Sequence, residues 1–181
     1  MQRSTLIRLL TNYTGFDEQE ESTRLRMLSF VQEHDDCFER SLKIGHITGS
    51  AWIVNRQRTK TLMLHHRKLD RWLQPGGHSD GDPNTPGVAL KEASEESGVQ
   101  LKNIRIVDTD IFDVDIHTIP ATKKEPQHEH YDVRFLFEID DTLPLRSNDE
   151  SNEVRWLDLD EVKAFNPDRS IERMLEKTRN L

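Results

Sequence analysis

The chain has 181 residues, of which 34% are hydrophobic and 32% are charged, and its formal net charge is −8. This length suffices for one domain with a modest appendage, and it can bury a core without disulfides or metal staples. The acidic surface should repel phosphate backbones, which excludes long nucleic acids as expected partners, although a metal ion or a local basic cluster would still let a small anion bind.

Signals for secretion and membrane insertion are not found in the sequence. Cys37 is the only cysteine, so an intrachain disulfide is impossible. No apolar run approaches the roughly 20 residues that span a bilayer, and the first residues lack the apolar stretch of a signal peptide. We therefore expect a cytoplasmic protein without a membrane partner.

The first 40 residues show helical spacing of their apolar side chains. One helix is predicted over positions 2–13, ending before Gly15. A second helix is predicted to begin at Asp17, with Glu20 as its capping partner. Its predicted apolar stripe consists of Leu25, Leu28 and Val31. We expect residues 1–40 to form a helical N-terminal extension.

From His46 onward the pattern changes to short β-prone runs. Residues 47–56 and 60–67 are apolar and separated by a short polar turn, which predicts a strand, a turn and a strand. Farther on, apolar and polar residues alternate over positions 112–117 and 133–139, which predicts two half-buried strands. The polar, proline-containing stretch between these two is predicted to be a loop of the kind that often carries function.

The end of the chain adds one more strand and two helices. The strand is EVRWLDL, and the helices are DLDEVKAF and PDRSIERMLEKTRN. The sequence contains no internal repeat and no low-complexity tract. Strands that alternate with helices predict a single α/β or α+β domain over residues 41–181.

A glycine- and proline-rich stretch, PGGHSDGDPNTPG at positions 75–87, precedes the clearest helix of the chain. Backbone this permissive is used where a chain turns tightly or approaches something closely. Thr85 is predicted to be the N-cap of the helix, Pro86 its first residue and Gly98 the residue just past its end.

Three glutamates of this helix, Glu92, Glu95 and Glu96, fall within roughly 100° of arc. Such an arc is most often a solvated helix surface. Here Glu92 and Glu96 form a like-charge pair at i, i+4, which destabilises a helix by a few tenths of a kcal/mol. The preceding loop can also offer backbone carbonyls to the same region. Several oxygens in one place are what a hard cation such as Mg²⁺ requires.

The loop itself suggests a second kind of metal site. Asp80, Asp82 and Asn84 occupy positions 1, 3 and 5 of an EF-hand-like loop. Thr85 stands where that loop needs glycine, and Lys91 stands where it needs a bidentate glutamate. A calcium loop is therefore excluded.

The glycine loop and the acidic helix together resemble the Nudix box. That pattern is glycine, five residues, glutamate, seven residues, then Arg-Glu-apolar-x-Glu-Glu-x-Gly-apolar. Counting from Gly77, seven of its nine specified positions match across 23 residues. The two departures are Pro83, in place of the first glutamate, and Lys91, in place of the arginine. In the family those two side chains are described as an ion pair that braces the loop against the helix, so their loss puts loop rigidity in doubt more than metal binding.

The resemblance extends over the predicted sheet, from about Gly45 to Leu157, and leaves residues 1–40 unexplained. It implies an α/β/α sandwich with a mixed sheet. It also implies hydrolysis of a diphosphate linked to another moiety, with Mg²⁺ or Mn²⁺ as cofactor. By position, the metal shell would consist of the Gly77 carbonyl, Glu92, Glu95 and Glu96.

The group that takes the proton of the attacking water is left open by the resemblance, because it differs between Nudix enzymes. Glu92 and Glu96 are candidates within the box. Glu150 is a candidate near the last strand. The long loop offers a further one, Glu129, with its flanking histidines His128 and His130.

Several residues other than the glutamates are candidates for substrate contacts, each with a plainer alternative. Arg67 and Arg71, with Lys68 between them, can contact phosphates or simply form a solvated turn. His78 either contacts the substrate or bridges backbone groups of the loop. His130, which follows the box in the chain, could contact the substrate or pair with His128 as a metal ligand. Tyr131 could stack on a base of the substrate or pack in the core, and the same two alternatives apply to Trp72.

These observations predict a Mg²⁺-dependent pyrophosphohydrolase of a small diphosphate. Its substrate class ranges over nucleoside triphosphates, nucleoside diphosphate sugars, ADP-ribose and dinucleotides, because loops and not the box set specificity. Two alternatives remain: a Nudix-fold binding module without catalysis, suggested by Pro83 and Lys91, and an isoprenoid-diphosphate isomerase, which Cys37 does not fit by position. The helical extension could shape the substrate pocket or form a homodimer contact.

Overall fold

The computed structural model describes residues 3–123 and 125–181. Within them the chain forms five α-helices and eight β-strands. The helices are α1 (Ser4–Asn12), α2 (Glu18–Glu33), α3 (Thr85–Ser97), α4 (Val162–Phe165) and α5 (Arg169–Arg179). The strands are β1 (Gly45–Val54), β2 (Lys60–His66), β3 (Arg71–Leu73), β4 (Gly76–His78), β5 (Ile104–Ile106), β6 (Asp113–Ile119), β7 (His128–Ile139) and β8 (Ser151–Asp158).

The strands form one mixed sheet whose central pair is parallel. Strands β1 and β7 run side by side in parallel from Gly45, opposite Glu129, to Val54, opposite Glu138. All other pairings are antiparallel: β2 pairs with β1, β3 and β8; β4 pairs with β1; and β5 and β6 pair with β7. The predicted strand, turn and strand after His46 are confirmed as β1 and β2.

Helices cover both faces of this sheet, because alternate residues of β1 and β7 enter two different hydrophobic clusters. Ile47, Ala51 and Ile53 of β1 pack in a cluster with apolar residues of α1, α2 and α3. Trp52 and Val54 point the other way, into a second cluster that contains Leu136 of β7 and the apolar side of α5. The result is the expected α/β/α sandwich with a mixed sheet.

The prediction of two half-buried strands is wrong for β7, because its polar residues Asp132 and Arg134 are buried as well, whereas β6 keeps exposed side chains at His117 and Thr118. Asp113 of β6 is fully buried, and Asp132 and Arg134 of β7 are 2% and 3% exposed. Arg134 donates to Asp132 at 2.8 Å and pairs with Asp113 at 3.1 Å, while Arg173 of α5 donates to both oxygens of Asp113 at 2.8 Å. Ion pairing therefore replaces the solvation that the alternating pattern predicted for this face.

The same group of charges ties the N-terminal helices to the rest of the protein. Glu20 of α2 is fully buried and accepts hydrogen bonds from the Val114 backbone N–H at 3.1 Å and from Tyr13 Oη at 2.7 Å. Lys177 of α5 donates to Glu20 at 2.6 Å and to Asp113 at 2.7 Å. The division into an extension and a domain at residue 41 remains a prediction, but these contacts place α1 and α2 within the packed structure.

Local details of the helices differ from the sequence prediction. Asp17 caps α2 as predicted, accepting from the Glu20 N–H at 2.8 Å. However, Leu25 is exposed, and the buried stripe is made by Met27, Phe30 and Val31. The N-cap of α3 is Asn84 instead of Thr85, because the Asn84 side chain accepts from the Gly87 N–H. Among the described helices, none is long and apolar enough to cross a bilayer.

Replacing Arg173 by methionine should destabilise the protein strongly. The change leaves the buried Asp113 carboxylate without one of its partners, and breaking a buried ion pair in this way costs about 3 to 5 kcal/mol. The free energy of unfolding in urea measures the effect. Arg179→Met on the same helix is the matched control, because Arg179 pairs with the exposed Asp160 and its loss should cost less than about 1 kcal/mol. Equal losses in the two variants would contradict the structural role of the buried charges.

Candidate metal and phosphate site

Helix α3 presents its three glutamates on one side and ends where the sequence indicates. Gly98 follows its last residue with a φ of +72°, a left-handed conformation that glycine adopts without steric cost. Glu92 is half-buried, Glu95 is exposed and Glu96 is only 4% exposed. The predicted acidic face therefore runs from solvent at Glu95 into the protein at Glu96.

The backbone of β4 lies directly against this acidic face. The Gly76 N–H donates to Glu96 Oε2 at 2.9 Å. At Gly77, a β-carbon would come within 2.7 Å of Glu92 Cδ, so a larger residue would collide with the carboxylate. A larger residue here would therefore force the flexible Glu92 side chain to move away from the strand.

The glutamates concentrate negative charge that Lys91 offsets only in part. Burial raises the pKa of Glu96 to about 8, against its hydrogen bond from Gly76, and the charges of Glu92 and Glu150 add to the rise. Burial also raises the pKa of Glu92. In the part of the chain that the structure describes, no basic side chain forms an ion pair with Glu92 or Glu96, whereas Lys91 lies 3.8 Å from the exposed Glu95. A bound cation would relieve this arrangement.

Glu150 lies close enough to the α3 glutamates for its charge to raise the pKa of both Glu92 and Glu96. It is exposed and comes just before β8, and its backbone carbonyl accepts from the Arg67 N–H at 2.8 Å. Glu129, the other distant candidate base, lies near Arg26 of α2 at 3.8 Å and accepts from Thr118 at 2.9 Å. Glu150 is thus the candidate that the structure brings to the acidic face.

Of the basic candidates, Arg67 lies next to Glu150. Arg67 is exposed, and its guanidinium donates to Asn152 Oδ1 at 3.2 Å and to the Ser151 carbonyl at 3.3 Å. Arg71 is exposed at the start of β3. Trp72 packs between the guanidinium of Arg155, 4.6 Å from its ring centroid, and the edge of Phe165.

The remaining candidates point elsewhere. Tyr131 stacks on Phe30 of α2 with ring centroids 3.8 Å apart, which is the packing alternative for this residue. His78 and His130 meet each other, with their Nε2 atoms 3.3 Å apart, on the opposite side of β4 from Glu92. His46 joins them and was not predicted, because only the parallel register of β1 and β7 places it beside His130.

The segment that follows β4, residues 79–84, contacts the connection between α2 and β1 through an ion pair and a backbone hydrogen bond. Asp80 forms an ion pair with Arg40, and the Gly81 N–H donates to the Phe38 carbonyl at 3.0 Å. Pro83 is half-buried in this segment. These contacts hold the segment where the resemblance expects a glutamate–arginine brace.

Comparison with known proteins supports the resemblance to the Nudix family. The NUDIX domain family model matches residues 46–177. A probable DHNTP pyrophosphohydrolase of Lactococcus lactis subsp. cremoris is 29% identical over 83 residues, covering 45% of this chain and 48% of that protein. The asymmetrical bis(5'-nucleosyl)-tetraphosphatase of Rattus norvegicus is 29% identical over 100 residues, covering 55% and 60%. The chain therefore matches only about half the length of these curated relatives.

Solved structures agree with the fold. The binary complex of the C. elegans Ap4A hydrolase has a TM-score of 0.60 at 15% identity and covers 74% of this chain and 95% of that one. The E. coli dihydroneopterin triphosphate pyrophosphohydrolase has a TM-score of 0.51 at 15% identity and covers 75% and 96%. Both likenesses confirm a mixed sheet packed between helices.

Glu96 should make the metal-free protein less stable as the pH rises from about 5 to about 8. Its pKa is about 8 in the folded protein and 4.5 as a model value, so over this range the folded state holds a proton that the unfolded state has released. Glu96→Gln removes this titration and keeps the oxygen that accepts from Gly76. We expect the variant to gain stability relative to wild type across this range, by a few kcal/mol at most.

The measurement is urea unfolding at several pH values in the presence of a chelator. Glu95→Gln is the control, because Glu95 is exposed on the same helix. Parallel pH profiles for wild type and Glu96→Gln would contradict the burial of an ionisable carboxyl group at this position.

Proposed function

The chain belongs to the NUDIX domain family, and from that premise we propose that it is a Mg²⁺- or Mn²⁺-dependent pyrophosphohydrolase of small diphosphate compounds. The proposal rests on one observation, the close contact between the α3 glutamates and the β4 backbone. Glu96 accepts a hydrogen bond from the Gly76 N–H, Gly77 abuts the carboxylate of Glu92, and no basic side chain among the described residues forms an ion pair with either glutamate.

These residues fit a hard divalent cation. Glu92 and Glu96 supply carboxylate oxygens from adjacent turns of one helix, and the exposed Glu95 extends the set toward solvent. Carboxylate and carbonyl oxygens are the ligands that Mg²⁺ and Mn²⁺ prefer. Glu92, Glu95, Glu96 and the Gly77 carbonyl would hold the ion, and its charge would offset the burial and the carboxylate repulsion that together raise the pKa of Glu96.

The chemistry needs a polarised phosphoryl group and an activated water. A divalent cation neutralises charge on the phosphoryl oxygens and lowers the pKa of a bound water. The glutamates of α3 hold and orient these groups, since they project from a rigid helix against a rigid strand. The reaction also needs a base that accepts the proton of the water, and cationic groups that bind the remaining phosphates.

We assign the role of base to Glu150, while Glu92 remains the alternative within the box. Glu150 is exposed, so its carboxylate can accept a proton from water, and its charge acts on both Glu92 and Glu96. The hydrogen bond from the Arg67 N–H to the Glu150 carbonyl fixes the backbone at this point. Glu129 is less suitable because Thr118 and Arg26 already engage its carboxylate.

Arg67 and Arg71 are assigned to the phosphate groups that are not cleaved. Arg67 lies beside Glu150, and both arginines are exposed, so they remain free to turn toward an anion. A guanidinium can bind a phosphate through two parallel hydrogen bonds. The net charge of −8 repels an anionic substrate, and these two arginines would supply local positive charge that attracts it.

The substrate class that we propose is an organic compound with two or more linked phosphates. The two curated relatives are named for DHNTP and for bis(5'-nucleosyl) tetraphosphates, both of which carry a phosphate chain on a larger organic group. Neither relative is matched over more than 60% of its length, so these compounds define the class to be tested and not the individual substrate.

The two alternative functions are weighed by single residues. An isomerase that uses a cysteine is disfavoured because Cys37 is fully buried and burial raises the pKa of its thiol to about 11. A binding module is suggested by Pro83 and Lys91. Lys91 nevertheless pairs with Glu95 at 3.8 Å, and the contacts of Asp80 and Gly81 hold the loop without the missing brace.

Purified protein should release phosphate or a nucleoside phosphate from members of a panel when Mg²⁺ or Mn²⁺ is present. The panel contains dihydroneopterin triphosphate, a bis(5'-nucleosyl) tetraphosphate, nucleoside triphosphates, nucleoside diphosphate sugars and ADP-ribose. Glu96→Gln should lower kcat by about 100-fold or more, because it removes a metal ligand. Glu138→Gln is the matched control: Glu138 pairs with Arg105 on β5 and should keep full activity.

Three outcomes would overturn the proposal. Turnover that Glu96→Gln leaves unchanged would contradict the site. Metal binding without turnover of any compound would favour the binding module. Isomerised allylic product, formed from an isoprenoid diphosphate added to the panel, would favour the isomerase.

A further inference from the structure

A second group of potential metal ligands lies on the other side of β4 from the glutamates. It consists of His46 on β1, His78 on β4 and His130 on β7, which we call the histidine triad. His46 is directly opposite His130 in the parallel pairing, and His78 is opposite Thr48, two residues along β1 from His46. Residues two apart in a strand share a face, so the register places all three imidazoles together.

The spacing of the ring nitrogens suits a tetrahedral ion. One nitrogen from each residue lies within 4.8 Å of the others. The Nε2 atoms of His78 and His130 are 3.3 Å apart. A tetrahedral Zn²⁺ with Zn–N bonds of about 2.0 to 2.1 Å separates its ligand nitrogens by about 3.3 to 3.4 Å. One pair therefore already has the required separation, and a small inward turn of His46 completes the set.

His46 is the most buried member of the triad, and its ring also stacks on that of His128, with centroids 5.1 Å apart. It is 3% exposed, and neither of its ring nitrogens has a hydrogen-bond partner among the described residues. A buried polar group without a partner costs about 1 to 3 kcal/mol. Its ring centroid lies about 5 Å from those of His78 and His130, so the unpartnered nitrogens belong to the triad.

Two members of the triad, His46 and His78, line a small cavity of about 40 Å³ together with His128, Arg40, Lys43 and Glu125, whereas His130 is not part of its lining. A water molecule needs about 10 to 15 Å³ measured in this way. Arg40 does not oppose a cation with its full charge, because its guanidinium is paired with Asp80.

We propose that the histidine triad binds one Zn²⁺ ion, with a water from the cavity as the fourth ligand, at a site separate from the α3 glutamates. Imidazole nitrogens favour Zn²⁺, whereas carboxylate and carbonyl oxygens favour Mg²⁺ and Mn²⁺. The ion would join β1, β4 and β7 beside Gly77. The two sides of β4 would thus hold two metals of different chemistry.

The test is a titration of metal-free full-length protein with Zn²⁺ in the presence of excess Mg²⁺, which occupies oxygen sites. Calorimetry should show one equivalent of Zn²⁺ per chain. Co²⁺ in place of Zn²⁺ should give the intense visible absorption of a tetrahedral ion. X-ray absorption of the zinc protein should show an imidazole-nitrogen shell, a readout that needs no variant and no enzymatic activity.

Variants assign the ligands. His46→Gln, His78→Gln and His130→Gln should each weaken Zn²⁺ binding by more than about 100-fold, since loss of an outer-shell partner alone costs about 10- to 100-fold. His65→Gln is the matched control, because His65 is half-buried and pairs with Asp70 away from the triad. Glu96→Gln should leave Zn²⁺ binding unchanged, which separates this site from the proposed catalytic one.

The proposal fails if wild-type protein takes up no Zn²⁺ under these conditions, or if Co²⁺ gives only the weak spectrum of an octahedral oxygen site. It also fails if the folded His130→Gln variant binds Zn²⁺ as tightly as the His65→Gln control. Should His46→Gln not fold, the half-buried positions His78 and His130 still decide the question.

Discussion

The pairing of β4 with β1 is the constraint on which the functional region depends. Three residues, Gly76, Gly77 and His78, pair with Ser50, Gly49 and Thr48. This pairing presses the glycine backbone against the carboxylates of Glu92 and Glu96 on one side. On the other side it brings His78 to the remaining histidines of the triad. A shift of one residue in this register would exchange the two sides of β4 and separate both groups.

The buried charges on the sheet close one of its faces. Asp113, Asp132, Arg134 and Arg173 fill the middle of that face with ion pairs, and α5 covers them. The opposite face is filled by the helices of the first hydrophobic cluster. Among the described residues, the buried polar atoms without a hydrogen-bond partner include the ring nitrogens of His46 near β4, and also Arg155 Nε and Trp156 Nε1 on β8. The buried ion pairs and the two proposed metal sites thus use different parts of the same sheet.

Features set by local spacing could be predicted from the sequence. Helix α3, its glycine end and its acidic face follow from residues within about 20 positions of each other, as do strands β1 and β2. The close approach of Gly77 to the helix also follows from the spacing of the box. Contacts set by pairing between distant segments could not be predicted in this way. The burial of Glu20 and the meeting of His46 with His130 depend on long-range register, for which alternation along one strand gives no signal.

The central claim is that the α3 glutamates and the β4 backbone form one divalent-metal site. Crystals of the protein soaked with Mn²⁺ test it directly through the anomalous scattering of the ion. The account predicts an anomalous peak bounded by the carboxylates of Glu92 and Glu96 and the carbonyl of Gly77. Mn²⁺ bound only elsewhere, in protein that hydrolyses a diphosphate with Mn²⁺, would contradict it.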